Sequence, residues 1–167
     1  LRRYRGIKQL MWVSKADENA QRIADEFAHE PTQKNRPISF LLERADGQSD
    51  RFTLTNSAPD SADNAVLAAN SQFKQMLQQA MQSGDMAATA RMTFSDSATD
   101  PVYGFLAGLP VYRRHSATDT EEQRRDNLLG FVVGRFRLDE LIDAAISLLE
   151  PRGVEILLMD ATAAPAQ

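Results

Sequence analysis

Apolar residues recur along the chain at two spacings, and the spacings divide it into strands and helices. "GIKQLMWV", residues 6 to 13, is apolar and aromatic enough for a strand, and "ADENAQRIADEFAHE" follows with Ala16, Ala20, Ile23, Ala24 and Phe27 at helical spacing. Pro31 and Pro37 bracket a polar loop. "ISFLLER" and "RFTLT" then read as two strands of a hairpin, with Asp46-Gly47 supplying the turn. Residues 56 to 64, rich in Ser, Asp, Ala and Pro, read as a loop. "SQFKQMLQQAMQSG" places Phe73, Met76, Leu77, Ala80 and Met81 on one stripe, with Ser71 as N-cap and Gly84 as the left-handed residue that ends the helix. "MAATARMTF", "YGFLAGLPVY" and "NLLGFVVGRF" are three strand-like runs separated by the loops "SDSATDP" and "RRHSATDTEEQRRD". "LDELIDAAISLLE" is an amphipathic helix on Leu138, Leu141, Ile142, Ala145, Leu148 and Leu149, stopped by Pro151, and "VEILLMD" is a last buried-type strand. Helices mixed with runs of antiparallel strands define an α+β domain rather than a doubly wound sheet.

Two of the strand runs share a detail. "YGFLAGLPVY" and "LLGFVVGRFR" each hold a pair of glycines four apart, Gly104 with Gly108 and Gly130 with Gly134. Residues four apart in a strand point to one face, so each pair shaves a strip. If the strands pair, the strips are expected to adjoin and leave a hollow that admits a helix or a small ligand. Helix packing is the commoner use of such glycines.

Charge and composition narrow the chemistry. The 167 residues carry a net charge of −4 with a pI near 5.2, which argues against a nucleic-acid partner, since phosphate neutralisation needs clustered Lys and Arg in excess. The absence of cysteine excludes disulfides and thiol catalysis but fixes no compartment. No run is long and apolar enough for a membrane helix, and "LRRYRGIKQL" lacks the features of a signal peptide. The chain opens mid-phrase at Leu1 and ends in "ATAAPAQ", so it is expected to be a piece of a longer protein. His29 and His115 have no metal-ligand spacing. No serine sits in a nucleophile elbow, and no glycine-rich segment matches a phosphate loop. "DSATD" and "TDTEE" lack the ligand positions of a calcium loop. No catalytic, cofactor or metal site is expected. Arg113, Arg114, Arg124, Arg125, Arg135 and Arg137 cluster around the two glycine-bearing strands, where they can meet an anion or acidic lipid, or pair with Asp119, Glu121, Glu122 and Asp126.

Five phrases in order carry a resemblance. "YRGIKQLMWV", "ENAQRIADEF", "QMLQQAMQSG", "GFLAGLPVYRR" and "LLGFVVGRFRLDELIDAAI" together resemble the CHASE domain, the extracellular or periplasmic sensory module of transmembrane histidine kinases and nucleotide cyclases and of plant cytokinin receptors. The resemblance implies a tandem PAS-like arrangement with an antiparallel or mixed sheet flanked by helices. Residues 1–137 would be the membrane-distal ligand-binding unit, and 138–167 the start of a partial membrane-proximal unit. It implies a non-enzymatic sensor, periplasmic or extracellular in an inner-membrane or plasma-membrane protein, that binds a small molecule and relays a conformational change to a cytoplasmic output domain such as a histidine kinase, diguanylate cyclase or phosphodiesterase. A homodimer and flanking transmembrane helices are the partners it implies. The alternative is a protein-interaction or dimerising module with no small ligand.

The same resemblance implies ligand-binding positions. The acidic side chain that holds adenine-type ligands in cytokinin receptors falls at Phe73 here, so a more apolar or differently polar ligand is expected. Thr89, Gly108 and Ser95 fall at further ligand contacts, and Phe105 joins Phe73 in lining the implied pocket.

Overall fold

In the computed structural model the described residues are 6–16, 37–44, 47–58, 64–94 and 102–146. The helix expected over 16–30 and the last strand, "VEILLMD", lie outside them. The described chain runs β1 (Ile7–Lys15), β2 (Ile38–Glu43), β3 (Ser49–Ala58), α1 (Asn64–Ala69), α2 (Ser71–Ser83), β4 (Ala87–Ala88), β5 (Met92–Phe94), β6 (Val102–Tyr112), α3 (Glu121–Asn127), β7 (Leu128–Arg137) and α4 (Leu138–Ile146). The strands form one seven-stranded sheet in the order β2-β3-β1-β7-β6-β4, with β5 also on β6, and every pairing is antiparallel. The α+β class read from the sequence holds.

Alternation in the central strands gives the sheet an inner face. Met11 and Val13 of β1 lie opposite Val133 and Phe131 of β7, and all four are buried. Helix α2 brings Phe73, Met76, Leu77, Ala80 and Met81 down onto this face. A run of aromatic contacts ties the layers together. Phe73 meets Phe40 at 5.7 Å between ring centroids, Phe40 meets Phe52 at 6.2 Å, and Phe52 meets Phe131 at 5.6 Å. Such pairs add about 0.5–1.5 kcal/mol each beyond the area they bury.

Helix α2 begins on Asn70 rather than on Ser71. The Asn70 carboxamide oxygen accepts from Phe73 N at 3.1 Å, which places Ser71 inside the first turn. Its other end is as expected, with Gly84 left-handed at φ 82° and its N–H on Ala80 O. The β2–β3 hairpin also forms as expected, with Gly47 at φ 78°.

Three segments depart from expectation. "MAATARMTF" is two short strands, β4 and β5, because Thr89 to Arg91 leave the ladder between them. The loop expected over 56 to 64 is strand at its start and helix at its end, since β3 runs on through Ala58 and α1 begins at Asn64. The charged segment read as a loop contains α3, which has no buried residue to announce it. A reciprocal cap starts this helix, with Thr120 Oγ1 accepting from Gln123 N at 3.2 Å and Gln123 Oε1 accepting from Thr120 N at 3.3 Å. Arg124 then anchors it by donating to the carbonyls of Thr118, Asp119 and Gln82.

The glycine strips do not adjoin. Gly108 lies opposite Val133 on the inner face, whereas Gly134 lies opposite Ala107 and Gly130 opposite Val111 on the outer face. The register places the two pairs back to back. Gly108 serves helix packing, since a Cβ there would stand 2.9 Å from Met76 Cε, and a Cβ on Gly130 would stand 2.2 Å from the carbonyl oxygen of Val13. A methionine tip can move aside and a strand carbonyl cannot. Gly130→Ala is therefore expected to cost at least about 2 kcal/mol and Gly108→Ala less than about 1 kcal/mol. Urea unfolding of the two variants measures both, and equal losses would contradict the packing described.

Helix α4 docks against the start of β1. Leu141 lies where a Cβ of Gly6 would have to go, and Gly6 O accepts from Arg137 N. Ion pairs join Arg137 to Asp139 and Lys8 to Glu140, with a longer Arg137–Glu140 contact at 3.5 Å. The hydrogen bond from Arg137 holds the Asp139 carboxyl below its usual range, and that from Lys8 does the same for Glu140. A depressed carboxyl stabilises the folded state above its unfolded pKa, and that contribution disappears as pH falls through the folded value. Amide protection in residues 141 to 146, corrected for intrinsic exchange, is expected to hold at pH 6 and to fall below about pH 4. Protection that is unchanged at pH 3 would remove the ion pairs from the account.

Candidate functional site

Two inward positions of the central strands break the apolar rule. Gln9 of β1 and Arg135 of β7 lie directly opposite each other on the inner face, and they are only 4% and 7% exposed. Leu106 of β6 lies opposite Arg135 on its other side, completing a row across three strands. Buried polar groups of this kind are costly unless something engages them.

A cavity of about 250 Å³ lies over this row. Gln9, Arg135 and Leu106 contribute from the sheet, Met92, Thr93 and Phe94 from β5, and Asn64, Val66, Leu67 and Asn70 from α1 and the start of α2. Its volume is just below the range of pockets for drug-sized ligands, about 300–1,000 Å³. The guanidinium carbon of Arg135 stands 4.4 Å from the centre of the Phe94 ring, a cation–π contact that steadies the charge. Gln9 Nε2 is buried with no hydrogen-bond partner among the described residues. Asn70 spends its carboxamide oxygen on the cap of α2, which leaves its NH2 as a donor.

Of the five positions carried over by resemblance, the four described ones lie outside the lining of this cavity. Phe73 is fully buried in the aromatic run of the core. Gly108 lies under Met76. Phe105 points to the outer face, stacked on Phe136 at 5.0 Å and 10°. Thr89 is hydrogen-bonded in both directions to a cavity residue, its N–H donating to Leu106 O at 2.9 Å and its Oγ1 accepting from Leu106 N at 3.0 Å. Ser95 lies outside the described residues.

Of the arginine cluster, Arg137 pairs with Asp139, Arg124 binds backbone carbonyls, and Arg135 faces the cavity. Sequence reasoning placed Arg135 beside a possible anion but gave Gln9 no role. The signal was present in the strand alternation, where positions 9, 11, 13 and 131, 133, 135 should all be apolar and two are not.

Among the described residues no group of three or more His, Asp or Glu is placed to hold a metal ion, and no helix is long and apolar enough to cross a membrane. His115 is exposed in a turn at φ 62°.

The described residues thus form a helix-covered antiparallel sheet with a cavity between its layers. The family model of the CHASE domain matches residues 1–167, the whole chain, and the protein belongs to that family. CHASE domains are sensory domains of membrane receptors. Comparison with curated proteins gives no match.

If Phe73 is core, Phe73→Ala removes a buried ring and leaves a void, and urea unfolding should register a loss of about 3–5 kcal/mol. A loss below about 1 kcal/mol would instead return the ring to a ligand-facing wall that water can refill.

Proposed function

We propose that this CHASE domain binds a small molecule in the cavity between α1, β5 and the inner face of the sheet. The single observation behind the reading is the Gln9–Arg135 pair, two buried polar side chains facing one largely apolar cavity. A ligand that met them would act on the packing of the walls, and a signal requires it to bind one arrangement of those walls better than another. Typical couplings of this kind are about 1–3 kcal/mol.

The route outward follows the same strand. Arg135 lies two residues before Arg137, which is bonded to Gly6 and paired with Asp139 at the start of α4. A shift of β7 at the cavity therefore bears directly on the docking of α4. In the full receptor α4 would open the membrane-proximal unit, with both units PAS-like, and a homodimer would carry the change across the membrane to a cytoplasmic output domain. Phe73, Thr89, Phe105 and Gly108 support the site by shaping the strand and helix that bound it, Thr89 most directly through Leu106.

A second reading is supported by the outer face. Leu10, Leu109 and Val132 share it and are 41%, 50% and 39% exposed. A protein-sensing or dimerising module would use that face and leave the cavity without a ligand.

A thermal-shift screen with nucleobases, amino acids, short peptides and carboxylates separates the two. A ligand at a hundred times its dissociation constant adds about 2.7 kcal/mol, or about 5 to 10 °C for a domain of this size. The shift is expected in the wild type and absent in Leu67→Trp, which fills the cavity, provided that variant keeps its urea midpoint. No shift with any compound in the folded protein would favour the interaction module.

A further inference from the structure

Gln9 carries a donor that the fold does not use. Its side chain lines the cavity at 4% exposure, and its Nε2 is buried with no hydrogen-bond partner among the described residues. A buried N–H without an acceptor destabilises the free protein, and an acceptor supplied from outside recovers that loss. Arg135 is the one charged side chain of the described lining. The Phe94 ring lies against its guanidinium, and the side chain is already engaged within the chain. The other polar side chains there, Asn64, Asn70 and Thr93, are neutral.

We propose that the ligand of this cavity is a small neutral amide, its carbonyl oxygen accepting from Gln9 Nε2 and its apolar part against Leu67, Met92 and Leu106. The inference rests on the sensor reading above and specifies the chemistry of the same site.

Charge and solvation select the class. An ammonium would enter beside Arg135 with no carboxylate in the described lining to offset the repulsion. An anion would have to give up its water, which costs far more than desolvating a neutral group, and the one cation of the lining already has its partner. A hydrocarbon fills the space and leaves the Gln9 donor unmet. An amide brings a strong neutral acceptor. Its own N–H can be met at the exposed rim by the Thr93 hydroxyl, which accepts as well as donates.

The experiment is titration calorimetry at pH 7 with hexanamide, benzamide and phenylacetamide. Each is set beside its acid (hexanoate, benzoate, phenylacetate) and its amine (hexylamine, benzylamine, phenethylamine). At least one amide is expected to bind, and its acid and amine at least about tenfold more weakly. Gln9→Met keeps the length of the side chain and removes the donor, and it is expected to weaken the amide at least about tenfold. The contrast among amide, acid and amine is read on the unaltered protein, so it decides even if the variant unfolds. Equal or tighter binding of an acid or an amine, or an affinity indifferent to Gln9→Met in a folded variant, would each overturn the amide. If no amide binds but another compound gives a thermal shift that Leu67→Trp abolishes, the amide is overturned and the sensor reading survives. If no compound of either screen binds, both fall together.

Discussion

The antiparallel register of β1 on β7 sets Gln9 against Arg135, Met11 against Val133 and Val13 against Phe131. Because side chains alternate, this one alignment decides which residues of the central strands meet the helices. A slip of β1 by a single residue would turn Leu10 and Trp12 inward and carry Met11 and Val13 to the outer face. The aromatic run from Phe131 through Phe52 and Phe40 to Phe73 holds the alignment in place, since it spans strands far apart in sequence and ends on α2. The cavity lies at the other end of the same inner face, where the core gives way to Gln9 and Arg135.

Much of this frame was legible in the sequence, for physical reasons that can be named. The stripe Phe73, Met76, Leu77, Ala80 and Met81 faces one way at helical spacing and could hardly do anything else, and Gly84 closes that helix as its backbone freedom allows. Glycine spacing showed that Gly104, Gly108, Gly130 and Gly134 shave their strands, but spacing within a strand says nothing of the register between strands. The faces therefore came out opposite. Helix α3 was hidden because it buries nothing and relies on the Thr120–Gln123 cap, a local device inside a charged run. Helix α1 is too short for a period to show.

The candidate site was legible only in part. Resemblance to cytokinin receptors pointed to positions next to the cavity lining, Thr89 hydrogen-bonded to Leu106 and Phe105 preceding it in the strand. The polar pair that distinguishes this cavity lies on other strands. Gln9 and Arg135 are 126 positions apart by number and adjacent only through the β1–β7 ladder, so no local motif could have joined them. Arg135 was also masked by its neighbours, because five other arginines nearby find ordinary surface or backbone roles or remain exposed, and only depth in the fold sets it apart.

Strand β5 has a mechanical consequence. It is three residues long, bonds only to β6, and lies off the main path of the sheet, yet it supplies Met92, Thr93 and Phe94 to the cavity. Detaching it breaks a three-residue ladder and leaves the β1–β7 and β6–β7 pairings intact, so this wall opens at a fraction of the free energy of global unfolding. Phe94, whose ring lies against the Arg135 guanidinium, belongs to this wall, so the cation–π contact is tied to the part of the sheet that is held least firmly.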